Sequence, residues 1–150
     1  MSDVVTIKIM LDEGALLPQK AHPEDAAYDL FTPVAFSLKP HDRAVIDLGV
    51  HMLIPKGYCG EIFSKSGLSS KYGITTVGLV DAGYTGSIRA MVYRDDKVAD
   101  SNLENGVYHF EVGDKLTQVK ISKVYDTELV MADSMPDTER GDSGFGSSGR

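Results

Sequence analysis

Residues 44–55, AVIDLGVHMLIP, place an apolar side chain at every second position. The even-numbered residues from 46 to 54 are all large and apolar: Ile46, Leu48, Val50, Met52 and Ile54. Asp47 and His51 stand at odd-numbered positions between them. Because the side chains of a β-strand point alternately to its two faces, this segment predicts a strand with one buried face and one polar face.

Several shorter segments repeat this two-residue period: TIKI (6–9), SIRAMVY (87–93), VYHFEV (107–112) and KLTQVKISKV (115–124). In VYHFEV we expect Tyr108, Phe110 and Val112 to share one face. Residues typical of turns separate the runs, at Pro40-His41-Asp42, Pro55-Lys56-Gly57, Asp95-Asp96, Glu104-Asn105-Gly106 and Gly113-Asp114. Short strands at this spacing predict an all-β sandwich or closed barrel. A sustained helical period is absent, and SSKYG (69–73) at most predicts a helical turn.

The composition describes an acidic chain with a single cysteine. The formal net charge is −7 over 150 residues. Such a chain is a poor partner for a nucleic-acid polymer, which requires clustered Lys and Arg, but a small phosphorylated ligand needs only a few local donors. The lone Cys59 excludes an internal disulfide and indicates a reducing compartment such as the cytoplasm. No apolar run reaches membrane-spanning length, so we expect no membrane partner.

We expect one β-barrel domain, residues 1–133, followed by a polar arm, residues 134–150. The arm closes with RGDSGFGSSGR (140–150), a segment rich in glycine and serine. This composition is typical of a disordered tail. That interpretation gives no role to Phe145, and a glycine-rich backbone can also bind phosphate through its N–H groups. The segment alone does not decide between a frayed tail and a flap that closes on a ligand.

Two polar segments beside predicted strands carry groups that suit a phosphorylated ligand. In DAAYDLFTP (25–33), Asp29 either bonds nearby backbone N–H groups or orients the water shell of a metal ion. In FSKSGLSS (63–70), Lys65, Ser66 and Gly67 offer a cation, a hydroxyl and a closely approaching backbone to a phosphate chain. A solvated turn is the alternative there.

In TVGLVDAGYTGSIR (76–89), an apolar run leads into an aspartate and a turn. An aspartate at the end of an apolar strand is partly desolvated, which raises its basicity, so Asp81 is a candidate base for activating water. Gly83 and Gly86 bracket Tyr84 in a predicted tight turn. The tyrosine ring there offers a flat floor to a sugar.

Two further polar features carry weaker signals. GDKLTQVKI (113–121) places Gln118 on a predicted strand, where an ordinary surface glutamine is the alternative to a ligand contact. The four histidines have no metal-ligand spacing, and with a single cysteine they do not predict a zinc site.

Taken in order, five segments resemble the five motifs of the trimeric deoxyuridine triphosphatase (dUTPase) family. From the first motif to the fifth they are AAYDL, SKSGL, GLVDAGYTG, GDKLTQV and RGDSGFGSSG. The resemblance implies a distorted jelly-roll barrel with a flexible C-terminal arm and a homotrimer whose active sites are shared between subunits. It also implies Mg²⁺-dependent hydrolysis of dUTP to dUMP and pyrophosphate, by in-line attack of water on the α-phosphorus. Such an enzyme limits uracil in DNA and supplies dUMP for dTMP synthesis, in the cytoplasm or in the host cytoplasm of a phage or virus.

The resemblance implies roles for individual residues. Asp81 would position the attacking water, and Asp29 would contact Mg²⁺ indirectly, through water. Tyr84 would pack under the deoxyribose, Arg140 would clamp the terminal phosphates and Phe145 would stack on uracil. The complete set of implied substrate-binding residues is Lys65, Ser66, Gly67, Leu79, Val80, Asp81, Tyr84, Arg89, Gln118, Arg140, Phe145, Gly146, Ser147 and Ser148.

Three features depart from the family pattern. Lys65 and Lys115 stand where arginine is usual in the second and fourth motifs. The asparagine that contacts uracil in many members has no counterpart, so backbone groups near Thr75, Thr76 and Leu79 would read the base.

Two alternatives to dUTP hydrolysis remain open from the sequence. One is a dCTP deaminase of the same fold, which ammonia release from dCTP would reveal. The other is a nucleotide-sensing module that binds a regulatory protein partner, which a nucleotide-dependent pull-down would reveal.

Overall fold

The computed structural model describes residues 4–95, 102–147 and 149, which form a mostly β structure with one short α-helix. Its elements in chain order are β1 (Lys8–Leu11), β2 (Tyr28–Phe31), β3 (Phe36–Leu38), β4 (Arg43–Leu53), β5 (Tyr58–Phe63), α1 (Ser66–Tyr72), β6 (Ile74–Thr76), β7 (Gly78–Val80), β8 (Ser87–Arg94), β9 (Tyr108–Phe110) and β10 (Lys115–Lys123). A 3₁₀ helix, Glu104–Gly106, precedes β9.

The strands assemble into two four-stranded sheets and one two-stranded sheet. The first sheet has the order β1-β4-β8-β6, the second has the order β2-β10-β5-β7, and β3 pairs with β9. All these pairings are antiparallel. The predicted all-β, jelly-roll architecture is therefore confirmed.

The alternating segment that opens the sequence analysis forms most of β4 and supplies much of the core. Its five apolar side chains are all buried, as predicted: Ile46, Leu48, Val50, Met52 and Ile54. Its partner β8 alternates in the same way, with Ile88, Ala90 and Val92 buried. The core therefore lies behind one face of each strand, and burial of these side chains is the main force that holds the strands in register.

Two local expectations are wrong. Strand β9 ends at Phe110, and Val112 lies in the following turn with 61% of its surface exposed. The turn is fixed by Asp114, whose carboxylate accepts the N–H of Glu111 at 2.8 Å, so a side-chain hydrogen bond overrides the alternating pattern. The helical turn expected at residues 69–73 is longer than expected, because α1 begins at Ser66.

The chain passes from one sheet to the other twice around the third motif. Strand β6 pairs with β8 in the first sheet, whereas β7 pairs with β5 in the second. Only Val77 separates β6 from β7. The loop at residues 81–86 then joins β7 to β8, so it lies at the junction of the two sheets.

Beyond β10 the chain leaves the barrel. In the part of the chain that the structure describes, residues 124–143 are all exposed and belong to no strand or helix. Several large apolar side chains in this segment are open to water, including Leu129 (98% exposed), Val130 (77%) and Met131 (96%). The domain boundary at residue 133 stays a prediction.

Within the described residues, no helix is long and apolar enough to cross a bilayer.

Candidate active site

A cavity of about 560 Å³ lies where the loop at residues 81–86 joins the two sheets. Five of the residues predicted from the sequence line it: Leu79, Val80, Asp81, Tyr84 and Arg89. The remaining lining residues come from strands of both sheets: Val45, Ile62, Gly78, Ser87, Ile88 and Met91. Its volume is typical of a small-molecule site. We call it the Asp81 cavity.

The tight turn predicted around Tyr84 is present. The Tyr84 hydroxyl donates a hydrogen bond to the Ser87 carbonyl at 3.0 Å, which folds the ring over Gly86. A Cβ at Gly86 would lie 2.3 Å from the Tyr84 hydroxyl oxygen, so residue 86 has no room for a side chain. Gly83 has a φ of +79°, which glycine adopts without strain. Tyr84 itself is 46% exposed and presents ring surface to the cavity.

Asp81 is exposed, although the preceding Val80 is buried. The expectation of a partly desolvated carboxylate is therefore wrong for the described residues of a single chain. The physical reason is that β7 ends at Val80, so Asp81 already belongs to the solvated loop. Removing water from this carboxylate requires a substrate, the C-terminal arm or a second chain to cover it.

A second cavity, of about 400 Å³, lies on the second sheet and contains two of the predicted phosphate-binding residues, Lys65 and Gln118. Asp29, Lys65 and Gln118 line it, together with Lys115 and Lys120. Its other lining residues are Ala21, Asp25, Ala26, Ala27 and Phe63. Three ammonium groups and a side-chain amide are donors suited to phosphate oxygens. We call it the Asp29 cavity.

Asp29 is buried and bonded to two lysines. Its carboxylate accepts hydrogen bonds from the Lys65 ammonium and, at 3.1 Å, contacts the Lys115 ammonium. Burial raises the pKa of Asp29, but the hydrogen bonds and charges of Lys65 and Lys115 outweigh it and hold that pKa below the usual 3.8. Asp29 is therefore a carboxylate at neutral pH.

Lys115 is a site residue that the sequence reasoning did not select. It entered the sequence analysis only as a departure from the family pattern. Its proximity to Asp29 depends on the pairing of β10 with β2, which the alternation of either strand alone does not specify. The one signal in the sequence was the positive charge that Lys115 keeps in the fourth motif.

Ser64 fixes the chain just before Lys65. Its hydroxyl accepts the Thr76 N–H at 2.9 Å and donates to the Thr76 carbonyl at 3.0 Å. The Gln118 amide donates to the Ser64 carbonyl at 2.9 Å, and its second hydrogen makes no hydrogen bond within the described residues. Uracil was expected to bond backbone groups near Thr75 and Thr76. The Thr76 N–H already donates to Ser64, so it is not available for that contact.

The residues next to Lys65 lie at the start of α1. Lys65 has an extended backbone and precedes the helix, and Ser66 and Gly67 form its first turn. Both Ser66 and Gly67 are exposed, so their polar groups face solvent. No atom outside the neighbouring backbone lies within 4 Å of a Cβ placed at Gly67, which leaves space for a ligand to approach.

The predicted arm residues form a third group. A cavity of about 330 Å³ is lined entirely by arm residues, including Arg140, Phe145, Gly146 and Ser147. The Arg140 guanidinium donates to the Ser143 carbonyl at 3.2 Å, which curls the arm on itself. Phe145 is fully exposed. Ser148 lies outside the described residues.

The three cavities share no lining residue among those the structure describes. One chain therefore presents three partial sets of groups. The Asp81 cavity has apolar walls and a carboxylate, the Asp29 cavity has lysines, and the arm has an arginine and an aromatic ring. A ligand that engages all three sets would have to span cavities that have no described lining residue in common.

The sequence is similar to that of known dUTPases. The dUTPase family model matches residues 13–149. The deoxyuridine 5′-triphosphate nucleotidohydrolase of Leifsonia xyli subsp. xyli is 39% identical over 152 residues, covering 99% of this chain and 93% of the relative. The corresponding protein of Tropheryma whipplei strain Twist is 34% identical over 149 residues, covering 97% of each chain.

Solved structures show the same relationship. The dUTPase of Staphylococcus bacteriophage 80alpha with dUpNHpp is 31% identical, with a TM-score of 0.85, over 97% of this chain and 99% of that one. Phage dUTPases, that of bacteriophage 80alpha among them, control the transfer of virulence genes by a proto-oncogenic G protein-like mechanism. A dUTPase variant from phage phi11 of S. aureus, which coordinates a structural Mg(II) ion, is 29% identical with a TM-score of 0.76, over 88% of this chain and 99% of that one.

Proposed function

This chain belongs to the dUTPase family and hydrolyses dUTP, and we propose that its active site combines the Asp81 cavity, the Asp29 cavity and the C-terminal arm of different subunits. The observation that carries this proposal is the division of the predicted site residues among three cavities that share no lining residue in the described part of one chain. A dCTP deaminase and a purely nucleotide-sensing module are not favoured by the family match.

The exposed arm supports a homotrimer with shared sites. Leu129, Val130 and Met131 are largely open to water in the single chain. Packing them against a neighbouring subunit would remove apolar surface from water, and a closed cyclic assembly would repeat that contact three times. The same contact would carry Arg140 and Phe145 onto the neighbour's cavities.

The Asp29 cavity suits a Mg²⁺–triphosphate. Among the described residues, no group of three His, Cys, Asp or Glu side chains could hold a metal ion directly. The ionised Asp29 carboxylate fits instead as an acceptor for a water molecule of the metal's hydration shell. Mg²⁺ bound with the triphosphate neutralises phosphate charge and so permits attack by a nucleophile.

The polar residues around Asp29 hold the phosphate chain in this proposal. The Lys65 ammonium has three hydrogens, so it can donate to a phosphate while it keeps its bond to Asp29. Lys115 adds a second positive charge, and the free amide hydrogen of Gln118 adds a neutral donor. The Ser66 hydroxyl and the Gly67 backbone complete the phosphate contacts at the start of α1.

The Asp81 cavity holds the nucleoside and the attacking water. Tyr84 lies under the deoxyribose, where a 2′-hydroxyl would meet the ring, and Leu79 and Val80 line the cavity beside it. Arg89 lines the same cavity and contributes positive charge.

The reaction transfers a proton from water to Asp81. Water attacks the α-phosphorus in line, and the bond from that phosphorus to the bridging oxygen breaks. Pyrophosphate leaves with the bonding electron pair, and dUMP carries the new oxygen. Because Asp81 is solvated in the single chain, the arm and the neighbouring subunit supply the exclusion of water that strengthens this step.

The arm closes the site over the substrate. Phe145 stacks on uracil, and its complete exposure in the free arm leaves both ring faces open. Arg140 clamps the terminal phosphates through its guanidinium. Ser147 and Gly149 wrap the γ-phosphate; Ser148, which the sequence places between them, lies outside the described residues.

We place this reaction in the cytoplasm, or in the host cytoplasm if the gene belongs to a phage or virus. The free Cys59 fits a reducing compartment. The reaction there would limit uracil in DNA and supply dUMP for dTMP synthesis.

A substrate panel tests the proposal. Pyrophosphate release is measured with Mg²⁺ and dUTP, dTTP, dCTP or UTP. We expect turnover of dUTP and poor kcat/KM for UTP, because the Tyr84 ring leaves no room for a 2′-hydroxyl. Comparable kcat/KM for UTP and dUTP would contradict the position of Tyr84, and ammonia release from dCTP would support the deaminase instead.

A further inference from the structure

His51 lies between two hydrogen-bond acceptors beside the Asp81 cavity. Its Nδ1 is 2.8 Å from the Thr85 carbonyl oxygen, and its Nε2 is 3.0 Å from a carboxylate oxygen of Asp12. Thr85 directly follows Tyr84 in the loop at residues 81–86. His51 therefore connects the loop that carries Asp81 and Tyr84 to the segment that follows β1.

This geometry requires both ring nitrogens of His51 to carry a hydrogen. A carbonyl oxygen only accepts hydrogen bonds, and so does an ionised carboxylate. A neutral imidazole has one N–H and can satisfy only one of these two acceptors. The two contacts coexist only when His51 is an imidazolium. In agreement, the Thr85 carbonyl and then Asp12 raise the pKa of His51 above its usual 6.5.

The backbone around His51 is shaped to make these contacts. The pairing of β4 with β8 shifts register between Asp47 and His51, so that three residues of β4 face a single residue of β8 there. Gly49, inside this bulge, has a φ of +65°, and its carbonyl accepts the Asp12 N–H at 2.8 Å. A Cβ at Gly49 would lie 2.9 Å from the Ala15 Cβ, so glycine permits the close approach of the segment that carries Asp12.

We propose that the His51 imidazolium is a positioning residue for dUTP binding, which holds the loop at residues 81–86 through the Thr85 carbonyl and uses Asp12 as its counter-ion. The inference rests on the proposed function in one respect, the assignment of Tyr84 and Asp81 to the substrate site. His51 lines neither the Asp81 cavity nor the Asp29 cavity, so it acts through the loop rather than through the substrate.

The charged groups around His51 determine the sign of its pH dependence. Asp12 faces it from the segment after β1, and Asp47 faces it from β4. Arg89, on β8, lies 3.9 Å from Asp47 and offsets part of that negative charge. Because the folded-state pKa of His51 is raised, the double contact is complete below 6.5 and is lost as pH rises through the raised pKa. The loop is then released above that raised pKa.

The test is the pH dependence of KM and kcat for dUTP, measured from below 6.5, the usual pKa of histidine, upward through neutral into alkaline pH. In the native protein we expect KM to rise by about two- to tenfold across the transition, which corresponds to one hydrogen bond. The kcat at saturating dUTP should change less, because bound substrate itself orders the loop. Asp12→Asn should move the transition to lower pH, since it removes the counter-ion and keeps an acceptor. His51→Phe should give a high KM at every pH and no transition.

His109→Gln is the matched control, since it removes a histidine on β9 that bonds Ser37 and lines neither cavity. Its KM profile should match that of the native protein, and any titration of dUTP itself should appear equally in all variants. An unchanged KM profile in Asp12→Asn or in His51→Phe would overturn the proposal.

Nitrogen NMR of histidine-labelled protein gives a second measurement that does not depend on activity. We expect one histidine, absent from the spectrum of His51→Phe, to carry both ring hydrogens above pH 6.5. A His51 that titrates at or below that pH would overturn the inference alone. Full activity of Asp81→Asn would instead overturn the proposed site and leave the protonation of His51 intact.

Discussion

Replacement of Gly86 with alanine should displace the Tyr84 ring and lower kcat/KM for dUTP by about a hundredfold. A Cβ at Gly86 would lie 2.3 Å from the hydroxyl oxygen, 2.5 Å from Cζ and 2.9 Å from Cε2 of Tyr84. Non-bonded atoms require about 3.5 Å, so the ring must move by about 1 Å. A misplacement of about 1 Å at a reacting centre can lower the rate by about 10²-fold.

The same substitution should leave the fold almost unchanged. Gly86 is not among the glycines with positive φ, so alanine adds no backbone strain there. Tyr84 is 46% exposed, and its displacement removes little buried surface. We expect the free energy of unfolding to change by less than about 1 kcal/mol, as for other surface positions.

A double-mutant cycle identifies the cause of the loss. Steady-state pyrophosphate release is measured for Gly86→Ala, Tyr84→Ala and the double variant, and Tm is measured for each. If alanine acts by moving the ring, Gly86→Ala should have almost no further effect when the ring is absent. An undiminished kcat/KM in Gly86→Ala, or an equal loss with and without the Tyr84 ring, would refute the reasoning.

Three further predictions follow from the site. Asp81→Asn should lower kcat by about 10²–10⁴-fold, the usual effect of removing a general base, while a non-hydrolysable dUTP analogue still binds; normal turnover would exclude Asp81 as the base. Because the pKa of Asp29 is held below 3.8, its ionised form stabilises the native protein at neutral pH and that contribution disappears as pH falls through the lowered pKa. Asp29→Asn should therefore lower Tm at pH 7 and reduce the further loss of Tm on acidification, and an acid dependence equal to that of the native protein would contradict the assignment. A chain ending at Met135 should keep the Tm of the barrel, since β10 ends at Lys123, but lose kcat/KM by at least about 10²-fold with the guanidinium of Arg140 and the ring of Phe145; full activity would show that the arm is a frayed tail.

The alternating segments predicted the barrel because a strand that is buried on one face has apolar residues at every second position. All five large apolar residues at the even-numbered positions 46–54 are buried. Strand β8 also buries every second residue. The pattern fails at Val112, where the hydrogen bond from Glu111 N–H to Asp114 forms a turn that a hydrophobic period does not encode. Short polar turns compete with strands through such local bonds.

The site is harder to predict, because its geometry depends on which strands become neighbours. The predicted site residues Leu79, Val80, Asp81, Tyr84 and Arg89 do meet in one cavity. The contact of Lys115 with Asp29 arises from the pairing of β10 with β2. His51 was interpreted only as a polar position of β4, and its double contact depends on a bulge in that strand. Strand order and bulges are tertiary properties, so single-strand periodicity does not contain them.

The most direct test of the shared active site is a mixing experiment with two inactive chains. One chain carries Asp81→Asn and a complete arm, and the other keeps Asp81 but ends at Met135. Each is assayed alone, and then trimers of mixed composition are purified after co-expression with two different tags and assayed for pyrophosphate release from dUTP. If Asp81 and the arm of one site come from different subunits, every trimer that contains both chains has one complete site out of three, so the purified mixed trimers should recover about a third of native activity. Mixed trimers as inactive as either parent would show that Asp81 and the arm must belong to one chain, and would contradict the account.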